Sequence, residues 1–106
     1  MKAMDLNQKQ FEELLAQEKP ILVDYWASWC GYCRRIAPAY DRVAEQYGDE
    51  IIVAKINIDE NPQLAEAERI EVIPTLVLYR KGQALGDVVA PSSKADIDAF
   101  IARTLQ

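Results

Sequence analysis

The segment Val23-Asp24-Tyr25-Trp26-Ala27-Ser28-Trp29-Cys30-Gly31-Tyr32-Cys33 carries the strongest structural signal in this chain. Its first half completes a short apolar run rich in β-forming residues, which predicts a strand over 21–26 that is buried on both faces. Its second half holds the chain's two cysteines. Their i, i+3 offset places both sulfurs on one face of a first helical turn. The segment therefore predicts a strand that leads directly into a helix bearing a dithiol.

The cysteine spacing favours a redox function over chance. In a chain of 106 residues with two cysteines, about 2% of random placements would have this spacing. Cys30 is expected at or just before the helix N-terminus, where free N–H groups and the helix dipole favour its thiolate. Cys33 lies one turn further in, is expected to be shielded, and would resolve a mixed disulfide formed on Cys30.

Three other interpretations of the cysteine pair stay open at this point. A structural disulfide closing so short a loop would contribute only about 2 kcal/mol, and a cytosolic pair is kept reduced. A zinc site needs further ligands, whereas the chain has no other cysteine and no histidine, which leaves only a metal bridge between molecules. The third interpretation is a chance pair of packed core thiols.

Apolar residues at helical and strand spacing predict the remaining elements. Asn7 is expected to cap the first helix, and Gly48 to lie at the C′ position of the helix that follows the cysteines. Asn61 is expected to cap a short helix, and Ser93, with Asp96 at N3, to form a capping box on the last one. The predicted strands span 21–26, 51–58, 75–80 and 84–89 with a turn at 81–82, and the predicted helices end near 18, 47, 67 and 105.

This order of elements predicts an α/β fold. Parallel strands are joined by a crossover helix, a hairpin follows, and helices cover both faces of a mixed central sheet. At 106 residues and 50% hydrophobic content, the chain is expected to form a single domain over 1–106, large enough to bury a core without disulfide staples.

The charge and hydropathy of the chain argue against several classes of function. The net charge is −5 and the 12 Lys and Arg are scattered, which argues against nucleic acid or an anionic membrane as a partner. Charged residues interrupt the first twenty positions and no apolar run could span a bilayer, so a cytoplasmic location is expected. Without histidine, a general base must be a carboxylate or a thiolate.

Two charged residues stand inside apolar strands. If Asp24 is buried, desolvation raises its pKa and makes it a candidate proton acceptor near a thiol. If it instead lies on the exposed face of its strand, it is an ordinary surface carboxylate. Lys55 has the same ambiguity, because it can pair with Asp24 or point to solvent.

Pro74 opens the third predicted strand, where its missing N–H is tolerated, and a cis bond before it has only the ~5% base rate of X-Pro bonds. Of the two tryptophans around the dithiol, Trp26 is expected in the core and Trp29 on the connecting turn as an exposed contact surface.

Taken in order along nearly the whole chain, these motifs resemble the thioredoxin family. A lone C-x-x-C would be far less specific than this set. The matching segments are 23–33, Ile36-Ala37-Pro38, 55–62, Ile73-Pro74-Thr75-Leu76 and Lys81-Gly82.

The resemblance implies a thioredoxin fold whose dithiol reduces disulfides of other proteins. It makes Cys30 the nucleophile, Cys33 the resolving thiol, Asp24 the buried acid and base for Cys33, and Lys55 its charged neighbour. It also implies a cis proline facing the dithiol, backbone pairing of a substrate strand, and an apolar docking surface. The implied substrate-contacting residues are Trp29, Gly31, Tyr32, Val72, Ile73, Pro74 and Ala90.

The same resemblance implies partners and a cofactor state. The electron donor is a thioredoxin reductase, which carries the NADPH and flavin, so no bound cofactor or metal is expected beyond the redox-active Cys30–Cys33 disulfide. The substrates are disulfide-containing proteins, and the chain is expected to be a monomer.

Three positions depart from the family pattern. Tyr32 replaces the proline of C-G-P-C, as in some bacterial disulfide isomerases, and adds an N–H donor and a phenol near the sulfurs. We therefore hypothesise a more oxidising pair than in a typical thioredoxin. Arg35 adds positive charge near the dithiol, and Pro91 removes a donor from a loop that contacts partners. The alternatives to a reductase are a disulfide oxidase or isomerase, and a non-catalytic thioredoxin-fold binding module.

Overall fold

The computed structural model describes residues 2–106. It contains five strands and four helices in the order β1 (Met4–Asp5), α1 (Gln8–Leu15), β2 (Ile21–Trp26), α2 (Gly31–Tyr47), β3 (Ile52–Asn57), α3 (Pro62–Ala67), β4 (Thr75–Arg80), β5 (Gln83–Val89) and α4 (Lys94–Thr104).

The strands form one mixed sheet in the order β1-β3-β2-β4-β5. β3 is parallel to both β1 and β2, whereas β4 is antiparallel to β2 and to β5. The hairpin between β4 and β5 turns at Lys81 and Gly82, which both have positive φ, a conformation that glycine adopts at no steric cost. The predicted mixed α/β sheet is confirmed.

Successive side chains along each strand point to opposite faces of the sheet, and they form two hydrophobic cores, one on each face. Leu22 and Leu78 pack against Tyr40 of α2 and Phe100 of α4 on one face. On the other face, a second cluster joins the sheet to α1 and α3. Its buried members are Leu6, Phe11, Ile21, Val23, Tyr25, Ala54, Ile56, Leu64, Val77 and Tyr79. Helices therefore cover both faces, as predicted.

The sequence missed one strand and one helix end. β1 is only two residues long and both side chains are exposed, so it has no apolar pattern; its register with Ala54 and Lys55 of β3 defines it. α1 ends at Leu15 rather than near residue 18. None of the helices within residues 2–106 is long and apolar enough to cross a membrane.

The predicted helix caps have mixed outcomes. Asn7 caps α1 as expected, and its side chain accepts the Gln10 amide at 2.8 Å. Gly48 is not at the predicted C′ position but is the C-cap of α2, in the right-handed helical conformation with φ −57°. Asn61 precedes α3 without a side-chain cap, because its Oδ1 accepts the Gln8 amide instead.

At the start of α4, Ser93 Oγ accepts the Asp96 amide at 3.2 Å, as predicted. The other bond of the predicted capping box, from the Ser93 amide to the Asp96 carboxylate, is wrong. The Asp96 carboxylate accepts from the amide and hydroxyl of Ser92, one residue before the position expected. A bond to the residue before the cap fixes the loop that enters α4.

Candidate active site

The two cysteines lie at the junction of β2 and α2, where the sequence predicted them. Cys30 is the N-cap of α2, and its Sγ accepts the amide of Cys33 at 3.1 Å. The two sulfurs are at disulfide distance, and the Cα atoms are 5.3 Å apart. Cys30 is 8% exposed and Cys33 3% exposed. The outer sulfur therefore stands at the helix N-terminus, where the macrodipole favours a thiolate, and the inner one is shielded.

The backbone before β4 faces the outer sulfur. Cys30 Sγ is 3.9 Å from the carbonyl oxygen of Ile73, and the Ile73–Pro74 peptide bond is cis, as the family resemblance implied. The Pro74 carbonyl accepts the amide of Ala90 at 2.8 Å, which ties the loop after β5 to this segment. Ala90 has φ +48°, an uncommon conformation for a residue with a Cβ.

Exposed apolar side chains flank this segment. Trp29 is 65% exposed and Val72 55% exposed, although hydrophobic residues of this size are usually covered. The Trp29 indole N–H donates to Asp59 at 2.9 Å, which fixes the orientation of the ring. Gly31 is exposed too, and a Cβ there would meet only the Arg34 side chain at 3.9 Å. The expected exposed position of Trp29 is confirmed, and Trp26 is half-buried.

Tyr32 is half-buried between the dithiol and the loop after β5. Its hydroxyl lies 3.1 Å from the carbonyl oxygen of Pro91 and 3.3 Å from that of Ala90. The Tyr32 amide was expected as an added donor near the sulfurs; the hydrogen bond that Cys30 Sγ accepts comes from the Cys33 amide. The position of the phenol could not be found from the sequence, because the loop it bonds to is almost sixty residues away.

Asp24 is buried, which settles the ambiguity left by the sequence. The side chain is 2% exposed and its Oδ1 has no hydrogen-bond partner. Burial raises the pKa of Asp24 to about 7, and the nearby Lys55 charge opposes that rise. By strand alternation Asp24 shares a face with Leu22, which packs under α2. It is thus a carboxyl group that exchanges a proton near neutral pH.

Lys55 lies directly beside Asp24 in the pairing of β2 and β3. Its Nζ, however, forms an ion pair with Asp5 of β1 at 3.7 Å and lies 5.1 Å from the Trp26 ring centroid. Asp5 was not singled out in the sequence, because the strand that carries it has no pattern. The Lys55 charge therefore acts on Asp24 through space, from a side chain that is paired with the exposed Asp5.

No group of three or more histidine, cysteine, aspartate or glutamate side chains suited to a metal ion occurs within residues 2–106. The chemistry that this arrangement offers is thiol–disulfide exchange, with a carboxyl group able to take up or release a proton. A helix N-terminus, a paired outer and inner sulfur, and an adjacent apolar surface are the parts that such exchange requires.

Comparison with known proteins decides the family. The thioredoxin family model matches residues 2–103. The chain belongs to the thioredoxin family. A thioredoxin from Alicyclobacillus acidocaldarius is 39% identical over 103 residues, which cover 97% of this chain and 98% of that protein.

Two further relatives of the thioredoxin family extend the comparison. A bifunctional thioredoxin reductase/thioredoxin from Mycobacterium leprae is 38% identical over 85 residues, covering 80% of this chain and 19% of that protein. The crystal structure of a Malassezia sympodialis thioredoxin superposes with a TM-score of 0.88 at 28% identity, over 99% of this chain and 92% of that one. The chain therefore has the thioredoxin fold and is a thiol–disulfide oxidoreductase with a redox-active cysteine pair.

Proposed function

We propose that this chain reduces disulfide bonds of other proteins in two exchange steps on Cys30 and Cys33. The observation that carries the proposal is the placement of Cys30 Sγ, which caps α2 and lies 3.9 Å from the Ile73 carbonyl oxygen beside exposed apolar side chains. A substrate strand that pairs with the Ile73 backbone would bring its disulfide to this sulfur.

In the first step, the Cys30 thiolate attacks one sulfur of the substrate disulfide. A bond forms between Cys30 Sγ and that sulfur, the substrate S–S bond breaks, and the other substrate sulfur leaves as a thiolate that takes a proton from solvent. The product is a mixed disulfide between the two proteins.

In the second step, Cys33 loses its thiol proton to the Asp24 carboxylate and attacks Cys30 Sγ. The mixed disulfide breaks, the second substrate thiolate leaves and is protonated, and the Cys30–Cys33 disulfide forms. Two electrons have then passed from the dithiol to the substrate. The role of Asp24 is supported by its burial and by its pKa of about 7. Lys55 is the charged neighbour that keeps this pKa from rising further.

Substrate contacts are assigned to the surface around the outer sulfur. Trp29 and Val72 supply exposed apolar area, Ile73 and Pro74 the pairing edge, and Ala90 the adjoining loop. Gly31 leaves room above the helix start, and Tyr32 forms one side of the surface.

The oxidised pair must be reduced by a second protein that supplies two electrons. We assign this role to a thioredoxin reductase, with its NADPH and flavin, so that no bound cofactor is needed here. The relative from Mycobacterium leprae, named as a bifunctional thioredoxin reductase/thioredoxin, supports this pairing. We further propose that the protein acts as a monomer in the cytoplasm and that residues 1–106 form a single thioredoxin domain.

Insulin reduction by dithiothreitol tests the activity. The wild-type protein is expected to accelerate insulin precipitation, and Cys30→Ser to abolish the acceleration. Cys33→Ser is expected to form a stable mixed disulfide with insulin that non-reducing electrophoresis detects. A protein that leaves the precipitation rate unchanged and forms no such adduct is a binding module rather than a reductase.

A further inference from the structure

A cavity of about 250 Å³ opens between α2 and the start of α4, next to the dithiol. Three of its lining side chains are cationic, Arg35, Arg42 and Lys94, and none is acidic. Tyr32 lines it as well. We define this cavity with its three cations as the basic groove. It stands out because the chain as a whole has a net charge of −5.

The spacing of residues on α2 explains the groove. Arg35, Ala39 and Arg42 stand at i, i+4 and i+7, so they follow one face of the helix. Ala39 is buried and small, which leaves a trough between two arginines whose Cα atoms are about 10 Å apart along the axis. The start of α4 forms the opposite wall. Of the three cations, only Arg35 could be related to the dithiol from the sequence, because the wall from α4 comes from a distant part of the chain.

The charges of the two arginines are available for a ligand. Lys94 Nζ already pairs with Asp98 at 2.9 Å, and the Asp96 carboxylate is held by the amide and hydroxyl of Ser92. Arg35 and Arg42 are exposed and have no carboxylate within 4.0 Å among residues 2–106. The Arg35 guanidinium lies 5.8 Å from the Tyr32 ring centroid, which places it on the side of the groove near the dithiol.

The groove is continuous with the exchange site. Tyr32 separates Cys30 from Cys33 in the sequence and also lines the groove. Along the α2 axis, the Cα atoms of Arg35 and Arg42 are about 7.5 Å and about 18 Å from that of Cys30, at 1.5 Å per residue. An extended chain advances about 3.3 Å per residue. A substrate segment that runs from Cys30 along α2 would place its second and about its fifth residue from the cysteine beside these two arginines.

We propose that the basic groove binds an acidic segment of the protein substrate, next to the cysteine under attack. This inference rests on the proposed reductase function and specifies the substrates it favours. Guanidinium groups bind carboxylates through paired hydrogen bonds, so aspartate or glutamate at those two positions matches the groove. Since the chain as a whole has a net charge of −5, the selection depends on the local sequence of the substrate rather than on its total charge.

The test compares two cysteine peptides, each joined by a disulfide to a neutral fluorescent thiol. One has glutamate at the second and fifth positions after the cysteine, and the other has glutamine there. A second pair carries the same residues before the cysteine. The second-order rate constant of the reduced protein with each peptide gives an acidic-to-neutral ratio, in which a general loss of activity cancels.

The wild-type protein is expected to prefer the acidic peptide about fivefold in one of the two orientations. Arg42→Gln is expected to lower that ratio to about twofold or less, and Arg42→Lys to retain part of it. The matched control is Arg80→Gln, which removes the same charge at the far end of β4. It is expected to keep the full preference. At 0.5 M salt the wild-type ratio is expected to approach one, because exposed charges are screened.

The outcomes distinguish a failure of the basic groove inference from a failure of the proposed reductase function. A ratio near one in both orientations, or equal ratios in Arg42→Gln and Arg80→Gln, overturns the groove while the reductase function stands. If the wild-type protein reduces none of the peptides, the reductase function fails and the groove inference falls with it.

Discussion

The hydroxyl of Tyr32 lies 3.1 Å from the carbonyl oxygen of Pro91 and joins the turn between the cysteines to the loop after β5. Two positions that depart from the thioredoxin pattern are thus in direct contact. Tyr32 also contacts the Ala90 carbonyl and faces Arg35, so one side chain connects the dithiol, the loop after β5 and the basic groove.

Tyr32→Pro is expected to lower the reduction potential of the cysteine pair by tens of millivolts, where about 30 mV corresponds to 1.4 kcal/mol. Proline fixes φ at the helix start and removes one of the free N–H groups in the first turn of α2, which together favour a thiolate at Cys30. Tyr32→Phe keeps the amide and is the matched control. Equilibration with glutathione measures both potentials. An unchanged or higher potential in the proline variant contradicts the hypothesis that Tyr32 makes the pair more oxidising.

Asp24→Asn is expected to slow release of the mixed disulfide at neutral pH, because Cys33 loses its proton acceptor. The same change is expected to stabilise the fold in a pH-dependent way. Burial raises the pKa of Asp24 from 3.8 to about 7, so the unfolded chain holds the charged form more readily. The free energy of unfolding of the wild-type protein is therefore expected to fall by on the order of a few kcal/mol as the pH rises from 3.8 to about 7.

Urea unfolding of both proteins across this pH range measures the stability difference, and quenched single-turnover reduction measures the release step. The difference in unfolding free energy is expected to grow with pH in favour of Asp24→Asn. If release at neutral pH were as fast in the variant as in the wild type, Asp24 would lose its assigned role.

Lys55→Met is expected to raise the pKa of Asp24 further, since the Lys55 charge is what lowers it. The pH dependence of mixed-disulfide release would then move to higher pH, while the rate well above the pKa stays close to that of the wild type. Lys9→Met, on α1 at the opposite face of the sheet, is the control. Identical pH profiles for both variants would show that Lys55 does not tune Asp24.

Val72→Ser is expected to lower kcat/KM for insulin about threefold without lowering the free energy of unfolding, because Val72 is 55% exposed. Met4→Ser removes an equally exposed hydrophobic side chain at the distant β1 edge and is expected to leave kcat/KM unchanged. Equal losses in both variants would mean that Val72 does not contact the substrate.

Local patterns predicted most of the fold. The apolar runs 21–26 and 75–80 and the helical period after Cys33 correspond closely to β2, β4 and α2. The errors fall where contacts with distant residues replace local signals. β1 exists only through its pairing with β3, and Asn61 gives its side-chain oxygen to Gln8 instead of its own helix.

In the candidate site, too, local patterns predicted some positions, and contacts between distant residues decided the others. Spacing placed Cys30 and Cys33 correctly at a helix start. Strand alternation alone did not decide whether Asp24 is buried, since that depends on α2 covering its face. The ion pair of Lys55 with Asp5 and the position of Arg42 beside Lys94 depend on elements that meet only in the folded chain.

The reduction potential of the Cys30–Cys33 pair is the measurement that tests reductase function most directly. Equilibration against graded glutathione and dithiothreitol buffers, followed by alkylation of free thiols, gives the value. The proposed function predicts a potential more negative than the cytosolic glutathione poise, about −220 to −260 mV. A potential at or above that poise would contradict it and identify a disulfide oxidase or isomerase built on a thioredoxin fold.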